Sequence, residues 1–129
     1  MISKDFALRI HARLIQEFGG TDGLRDVDLL ESALSRPFGG FGDTEFYPSP
    51  EEKAAAIGES IIKNHPFSDG NKRTDYALMG VILSQSNLDI EASEDEKYDF
   101  VIQIASGELV FEQIVASIKA RLISIAVPR

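Results

Sequence analysis

The chain has 129 residues, of which 43% are hydrophobic, and this is enough for one domain with a single buried core. Its formal net charge of −8 argues against a generic nucleic-acid binder, which needs a basic face to displace counterions from phosphates. Because the chain has no cysteine, disulfides, thiolate metal sites and thiol nucleophiles are excluded, and a reducing cytoplasm is expected.

The sequence shows no run of about 18 apolar residues, and its N-terminus lacks the basic-then-apolar order of a signal peptide. We therefore expect no membrane span, no direct binding of nucleic acid and a cytoplasmic location. The acidity itself has two interpretations, since it favours solubility and also suits a basic protein partner.

Helical periodicity dominates the first part of the chain. Apolar residues recur at three- and four-residue spacing from Asp5 to Phe18, which predicts an amphipathic helix capped by Ser3. His11 lies among the core positions of this helix, where a histidine is more often a packing or surface residue than a catalyst. After a turn, Asp26 caps a short second helix, which ends before Pro37.

The segment Phe38–Pro48 contains four aromatic residues, is punctuated by glycines and has no helical period. This composition predicts a loop or a short hairpin rather than a helix. Two interpretations are open. The aromatics fill the core as part of a connector, or the segment is a flap that closes over a site or receives an extended peptide by strand addition.

Two further helices flank a polar stretch in the middle of the chain. Residues 49–52 form a capping box with proline at the first helical position, which predicts a helix that runs to about Asn64 and is ended by Pro66. Beyond the polar stretch, residues from Thr74 to Ser86 are apolar on nearly every side, which predicts the central helix of the domain.

The last part of the chain is predicted to hold two more helices. After a short extended link at Asn87–Ile90, Ser93 opens a second capping box and a helix that reaches Gly107. The last helix covers Phe111 to Ile123, and residues 125–129 form a loose tail. The whole chain is therefore predicted to be one compact all-α domain of about six helices with a short loop or hairpin flap.

The stretch His65–Thr74, which reads HPFSDGNKRT, is the most polar part of the chain between two apolar segments. The first turn of a helix leaves backbone N–H groups without partners and favours negative charge, and Gly70 lets the loop wrap closely on an anion. Lys72 and Arg73 add cations at this end, where the helix dipole disfavours them unless an anion such as phosphate is bound. The stretch therefore predicts an anion-binding loop.

Two further residues of this loop carry candidate chemistry. Asp69 could hold a Mg²⁺ ion that bridges it to phosphates, or it could cap the helix or pair with a neighbouring cation. His65 can accept a proton near neutral pH, which is the role of a general base. A phosphorylated nucleotide held beside a base suggests transfer of a phosphoryl-containing group to a hydroxyl.

The same ten residues resemble the signature of the Fic/Doc (Fido) superfamily, H-x-F-x-[D/E]-G-N-G-R-x-x-R. The matching positions are His65, Phe67, Asp69, Gly70, Asn71 and Arg73. The resemblance extends over the whole chain, and the stretch Gly23–Asp26 is similar to one in Doc-type proteins. It implies the compact helical Fic fold.

Two departures from the signature resemble the Doc (death-on-curing) toxin branch. Lys72 stands where adenylylating Fic enzymes have a glycine that admits the phosphates, and Tyr76 stands where they have a second arginine. Doc toxins, whose loop likewise reads N-K-R, are understood to transfer the γ-phosphate of ATP to a threonine of elongation factor Tu. The resemblance thus implies a protein kinase that is the toxin of a toxin–antitoxin system, with ATP and Mg²⁺ as cofactors.

The resemblance also implies a role for each residue of the candidate site. His65 would be the catalytic base that takes the proton of the target hydroxyl, and Asp69 would hold Mg²⁺. The phosphates would be bound by Gly70, Asn71, Lys72 and Arg73. The protein target would be bound by the flap residues Phe41, Thr44 and Phe46.

Family enzymes are often restrained by an inhibitory helix with the pattern S/T-x-x-x-E-G/N, and no Ser or Thr of this chain lies four residues before a Glu. The resemblance then implies a separately encoded antitoxin with a segment that folds on binding. Two alternatives stay open, namely a Fic-type adenylyltransferase and a catalytically silent binding module on the same fold.

Overall fold

The computed structural model describes residues 1–125, so the predicted tail at 126–129 lies outside the described residues. Six α-helices form within residues 1–125, which confirms the all-α prediction: α1 (Lys4–Phe18), α2 (Val27–Ser35), α3 (Pro50–Asn64), α4 (Asn71–Ser84), α5 (Glu94–Ala105) and α6 (Phe111–Ala120). A 3₁₀ turn at Arg36–Phe38 follows α2. Two antiparallel strand pairs join β1 (Gly40–Phe41) to β2 (Thr44–Glu45) and β3 (Leu88–Ile90) to β4 (Leu122–Ser124). Among the helices of this part of the chain, none is long and apolar enough to cross a membrane.

Local capping signals set the starts of four helices. The side chains of Ser3, Asp26, Ser49 and Ser93 each accept a hydrogen bond from the backbone N–H group three residues later. Helix α4 differs, because its N-cap is Gly70, which has a left-handed backbone and provides no side-chain cap. The first turn of α4 is therefore left without the usual partner for its N–H groups.

Helices α3 and α4 pack closely at the centre of the domain. Small residues of α3 permit this approach, and a Cβ atom added to Gly58 would lie 2.8 Å from the sulfur of Met79. The other helices cover this pair, and the largest fully buried aliphatic side chains are Leu30, Ile57, Ile61, Leu78, Met79, Leu83, Ile114 and Ile118. Because α3 and α4 pack closely on each other, both ends of the loop that joins them are held in place.

The predicted bounds of the last helix and of the central helix are wrong. The last helix ends at Ala120 rather than at Ile123, and Leu122–Ser124 instead forms β4, whose backbone pairs with β3. The hydrogen bond that Ile125 N–H donates to Asn87 C=O at 2.9 Å extends this pairing. The central helix begins at Asn71 and ends at Ser84, which is earlier at both ends than predicted.

Three consecutive residues of α4 place polar atoms in the core without a hydrogen-bond partner. Among the described residues, the hydroxyl of Thr74, both carboxyl oxygens of Asp75 and the hydroxyl of Tyr76 are buried and unpaired. Asp75 is fully buried, and its removal from water raises its pKa well above the ordinary value. An unpaired buried carboxylate therefore destabilises the fold at neutral pH.

We expect Asp75→Leu, which matches the carboxylate in shape, to raise the free energy of unfolding at neutral pH by about 1–3 kcal/mol. The unfolded carboxyl ionises near pH 4, whereas the folded one keeps its proton to higher pH. The free energy of unfolding of the wild type is therefore highest below about pH 4, where Asp75 is protonated in both states. It falls as the pH rises through the folded-state pKa of Asp75. Urea unfolding of both proteins from about pH 4 to pH 8 should show a difference that grows with pH.

The control for this prediction is Asp75→Asn, which removes the charge but keeps an unpaired polar group of the same shape. It should stabilise less than Asp75→Leu. A variant Asp75→Leu that is no more stable than the wild type at neutral pH would contradict the interpretation.

Candidate functional site

The loop between α3 and α4 spans residues 65–70 and has a left-handed backbone at each end. His65 ends α3 with φ 50° and ψ 56°, and Gly70 precedes α4 with φ 77°. This conformation is strained for His65, so surrounding contacts must hold it there. Gly70 adopts it freely, and an added Cβ atom would come within 3.0 Å of the Ile15 side chain. The candidate base and the N-terminus of α4 thus lie at the two ends of one short loop.

The side chain of Asn71 closes the loop from inside. Its Oδ1 accepts a hydrogen bond from the N–H of Phe67 at 3.1 Å, and its Nδ2 donates one to the C=O of Phe67 at 2.9 Å. Since the loop itself uses both polar ends of this buried side chain, Asn71 offers an anion its backbone N–H group. Its predicted part in phosphate binding therefore rests on the backbone, and the bracing role of its side chain was not predicted.

Phe67 anchors the loop in the core by stacking on His11. Their ring centroids are 3.8 Å apart, and the ring planes differ by 5°. His11 Nε2 lies 2.7 Å from the backbone oxygen of Asp69, to which it donates because a carbonyl can only accept. His11 Nδ1 lies 3.6 Å from a carboxylate oxygen of Asp22. His11 is thus a buried packing residue that also fixes the backbone at Asp69.

The carboxylate of Asp69 is exposed and accepts two backbone hydrogen bonds, from Thr21 N–H at 3.1 Å and from Gly70 N–H at 2.8 Å. These two donors, Thr21 first, lower the pKa of Asp69, which is therefore ionised at neutral pH. A Cβ atom added to Gly20 would lie 2.7 Å from Oδ2 of Asp69, so the backbone at Gly20 approaches this carboxylate closely.

An ionised, exposed carboxylate with spare lone pairs fits a Mg²⁺ ligand. Within residues 1–125, no group of three or more His, Asp or Glu side chains could hold a metal by itself. A metal at Asp69 would therefore take its remaining oxygen ligands from phosphates and water, as Mg²⁺ commonly does.

Lys72 and Arg73 are exposed in the first turn of α4. The guanidinium of Arg73 lies over the ring of Phe18, 4.0 Å from its centroid, which is a cation–π contact. In the part of the chain that the structure describes, no carboxylate lies within 4.0 Å of either cation. The pairing of Asp69 with these cations is therefore absent, and two positive charges stand at the positive end of the α4 dipole.

A second segment, Gly23–Asp26, runs antiparallel to the loop and binds its backbone. Leu24 and Phe67 form an isolated β-bridge, and the N–H of Ser68 donates to the C=O of Gly23 at 3.0 Å. In the sequence this segment predicts the cap of α2 at Asp26 and resembles a stretch of Doc-type proteins, but nothing in it predicts a contact with the loop. The structure shows that it supports the loop.

Arg25 makes the most extensive contacts of that segment. Its backbone N–H donates to the C=O of Pro66 at 2.7 Å. Its side chain donates from Nε to the C=O of His65 and from Nη2 to the C=O of Asn64, both at 2.8 Å. Arg25 was not among the predicted site residues, because nothing in its own neighbourhood in the sequence indicates this partner.

The aromatic segment forms a hairpin of β1 and β2, and this confirms the hairpin option of the prediction. Phe41 is 83% exposed and Phe46 is 61% exposed, and Thr44 is also exposed. The connector interpretation, in which the aromatics fill the core, therefore does not hold for Phe41 and Phe46. The flap interpretation, in which these residues bind a protein target, stays a prediction.

The hairpin is fastened to α3, the helix that also carries the loop. Arg36 donates from Nη1 to Glu59 and Ser60, each at 2.9 Å, and from Nε to the hydroxyl of Tyr47 at 3.1 Å. Lys53 pairs with Glu45 at 2.8 Å. These contacts hold both ends of the flap on α3 and leave Phe41 and Phe46 exposed.

Tyr76 lies away from the loop, although it occupies the second-arginine position of the Fic signature. It lines a cavity of about 250 Å³ together with residues of α5 and α6, and no loop residue lines that cavity. Burial raises the pKa of Tyr76 to about 12, so its hydroxyl stays neutral. This side chain therefore supplies no charge to the anion site.

Comparison with known proteins agrees with the geometry of the loop. The model of the Fic/DOC family matches residues 1–83, which include α1 to α3, the loop and α4 up to its last residue but one. A curated protein of Mycolicibacterium smegmatis, Toxin Doc, is 32% identical over 103 residues, which cover 78% of this chain and 79% of that protein. The chain therefore belongs to the Fic/DOC family.

We expect Asn71→Ala to lower the free energy of unfolding by about 1–3 kcal/mol, because it leaves the buried N–H and C=O of Phe67 without partners. Asn71→Asp should cost at least as much, since a carboxylate oxygen then faces the C=O of Phe67 in place of a donor. Urea unfolding measures both effects. Ser68→Ala is the matched control in the same loop, because the Ser68 side chain is exposed. Equal stability of Asn71→Ala and the control would contradict the bracing role.

Proposed function

We propose that this protein is the toxin of a toxin–antitoxin system and acts as an ATP-dependent protein kinase. The proposed reaction moves the γ-phosphate to a Ser or Thr hydroxyl of a translation factor, which the family resemblance suggests is elongation factor Tu. One observation carries this proposal: a candidate base and an ionised carboxylate flank an uncapped helix N-terminus that bears two cations without anionic partners in the described chain. The similarity to Toxin Doc supports the toxin part.

His65 is the proposed catalytic base. Its exposed imidazole at the end of α3 is free to take the proton of the target hydroxyl. As that proton leaves, the hydroxyl oxygen forms a bond to the γ-phosphorus, the bond from this phosphorus to the bridging oxygen breaks, and ADP departs. Because transfer of this kind needs little covalent help, placing the base at a fixed position is its main contribution.

The start of α4 is the proposed phosphate site. Its first-turn N–H groups, the positive end of its dipole and the side chains of Lys72 and Arg73 all favour the charge of a triphosphate. Positioning and electrostatic stabilisation of this kind supply most of the rate in phosphoryl transfer. Mg²⁺, held by Asp69 and the phosphates, would neutralise further charge when bound.

Two residues favour phosphate transfer over adenylylation. The exposed Lys72 brings a cationic side chain to the position where adenylylating relatives carry a glycine, and Tyr76 lines the cavity beside α5 and α6 rather than the loop. The chain therefore has neither the open backbone nor the second guanidinium of the adenylylating signature.

An inhibitory S/T-x-x-x-E segment is also missing from the sequence, which supports restraint by a separate antitoxin chain.

Incubation of the purified protein with a cell extract and ATP labelled at either the α or the γ phosphate tests the reaction. We expect label from the γ position on a protein, and a loss of about 10²- to 10⁴-fold in His65→Ala, the range typical of a lost general base. Arg13→Ala, which changes an exposed residue of α1, is the control.

Each other outcome of the labelling experiment is informative. Transfer from the α position would replace the kinase by an adenylyltransferase, and the absence of transfer from either position would support a silent binding module. Undiminished transfer by His65→Ala would exclude this residue as the base. Growth arrest on expression of the protein alone, relieved by a separately encoded antitoxin, tests the toxin part.

The flap makes a separate prediction about the protein target. We expect Phe41→Ser to raise the KM for the protein target about tenfold, which corresponds to the loss of one interface anchor worth ~1.4 kcal/mol. The KM for ATP should stay unchanged, because Phe41 belongs to the hairpin and not to the loop. Initial rates of label transfer at increasing target concentration give both constants.

Tyr98→Ser is the matched control for the flap variant, because Tyr98 is an aromatic residue of α5 that is 65% exposed. It should leave both constants at the wild-type values. The flap assignment fails if Phe41→Ser and Tyr98→Ser give the same KM for the target.

A further inference from the structure

We infer that Arg25 is a positioning residue for His65, acting through the backbone that ends α3. This inference rests on the proposed role of His65 as the base. Arg25 lies 40 residues before His65 in the chain, and its hydrogen bonds to the loop and to the end of α3 go to main-chain oxygens.

Arg25 binds three successive carbonyl groups at the end of α3. Its side chain donates to the carbonyls of Asn64 and His65, each at 2.8 Å, and its backbone N–H donates to that of Pro66 at 2.7 Å. The last carbonyls of a helix lack intrahelical partners, and the negative end of the dipole attracts a cation. A planar guanidinium can bind two neighbouring oxygens at once, whereas a lysine ammonium binds as a single point.

The guanidinium of Arg25 binds next to the strained backbone of His65. His65 has a left-handed backbone with φ 50°, which a residue with a Cβ atom rarely adopts unless its surroundings impose it. A hydrogen bond to its own carbonyl and another to the carbonyl before it restrict rotation on both sides of the His65 α-carbon. The direction in which the imidazole leaves the loop is therefore set by Arg25.

Other contacts hold the loop as a whole without the Arg25 side chain. The backbone N–H groups of Arg25 and Asp26 still bind the carbonyl of Pro66, Ser68 still binds Gly23, and Asn71 still closes on Phe67. Removal of the guanidinium should therefore leave a folded protein with a less restricted His65. This separates a positioning role from a merely structural one.

The experiment compares Arg25→Ala, Arg25→Lys and the control Arg13→Ala. We expect Arg25→Ala to lower kcat by about 10- to 100-fold, the cost typical of a misplaced catalytic group, with the KM for ATP within about twofold of wild type. Arg25→Lys should recover part of the loss, because it keeps the charge and one of the two hydrogen bonds. Arg13→Ala changes an exposed residue of α1, and its kcat and KM for ATP should equal those of the wild type.

A second readout needs no activity. The chain has only two histidines, so the imidazole C–H signals of His65 and His11 are assigned by comparing the wild type with His65→Ala in NMR spectra. Arg25→Ala should shift or broaden the His65 signal, whereas the signal of the buried His11 should stay in place.

The outcomes distinguish this inference from the proposed function. The positioning role is overturned if Arg25→Ala has the wild-type kcat and an unchanged His65 signal. If Arg25→Ala does not fold, a folded Arg25→Lys with the full wild-type kcat overturns it. If the wild type transfers no label at all, the proposed function fails, and the NMR comparison still decides whether Arg25 orders His65.

Discussion

The pairing of Gly23–Asp26 with the loop between α3 and α4 is the constraint on which the candidate site depends. It fastens the loop from outside, while the side chain of Asn71 closes it from inside through both backbone groups of Phe67. Together these contacts hold the loop between its two left-handed residues, His65 and Gly70. The proposed base, His65, and the N-terminus of α4 are then held at opposite ends of six residues, which is the pre-organisation that the proposed group transfer would require.

The sequence predicts the elements of this domain well where the signal is local. Four helices begin after a side chain that accepts a hydrogen bond from the backbone N–H group three residues later, namely Ser3, Asp26, Ser49 and Ser93. The sequence signal and the hydrogen bond therefore lie within the same helical turn. The supports of the loop follow no such rule. His11, Thr21 and Arg25 bind it across 58, 48 and 40 residues, and no periodicity in the chain encodes such partners.

The wrong end of the last helix and the unforeseen bracing role of Asn71 have the same origin. The apolar residues at 122 and 123 fit the spacing of α6 as well as they fit a strand, and only pairing with β3 decides between them. The polar residues of the loop share a composition typical of ligand binding, yet Asn71 turns its side chain inward to the backbone of Phe67. Composition can thus identify a polar loop, but the tertiary contacts decide which of its side chains brace it and which stay exposed.

Several features that lower stability are concentrated at the start of α4. Its N-terminus lacks a side-chain cap, Lys72 and Arg73 stand at the positive end of its dipole, and Asp75 is buried one turn later without a partner. Four of the other helices carry Ser or Asp caps, so the domain can form helices by the usual rules. Departures of this kind persist where function requires them and are compensated by the rest of the fold. On the proposed function, an anion bound at this helix end would satisfy the free N–H groups and both cations together, and this would account for two positive charges there in a chain of net charge −8.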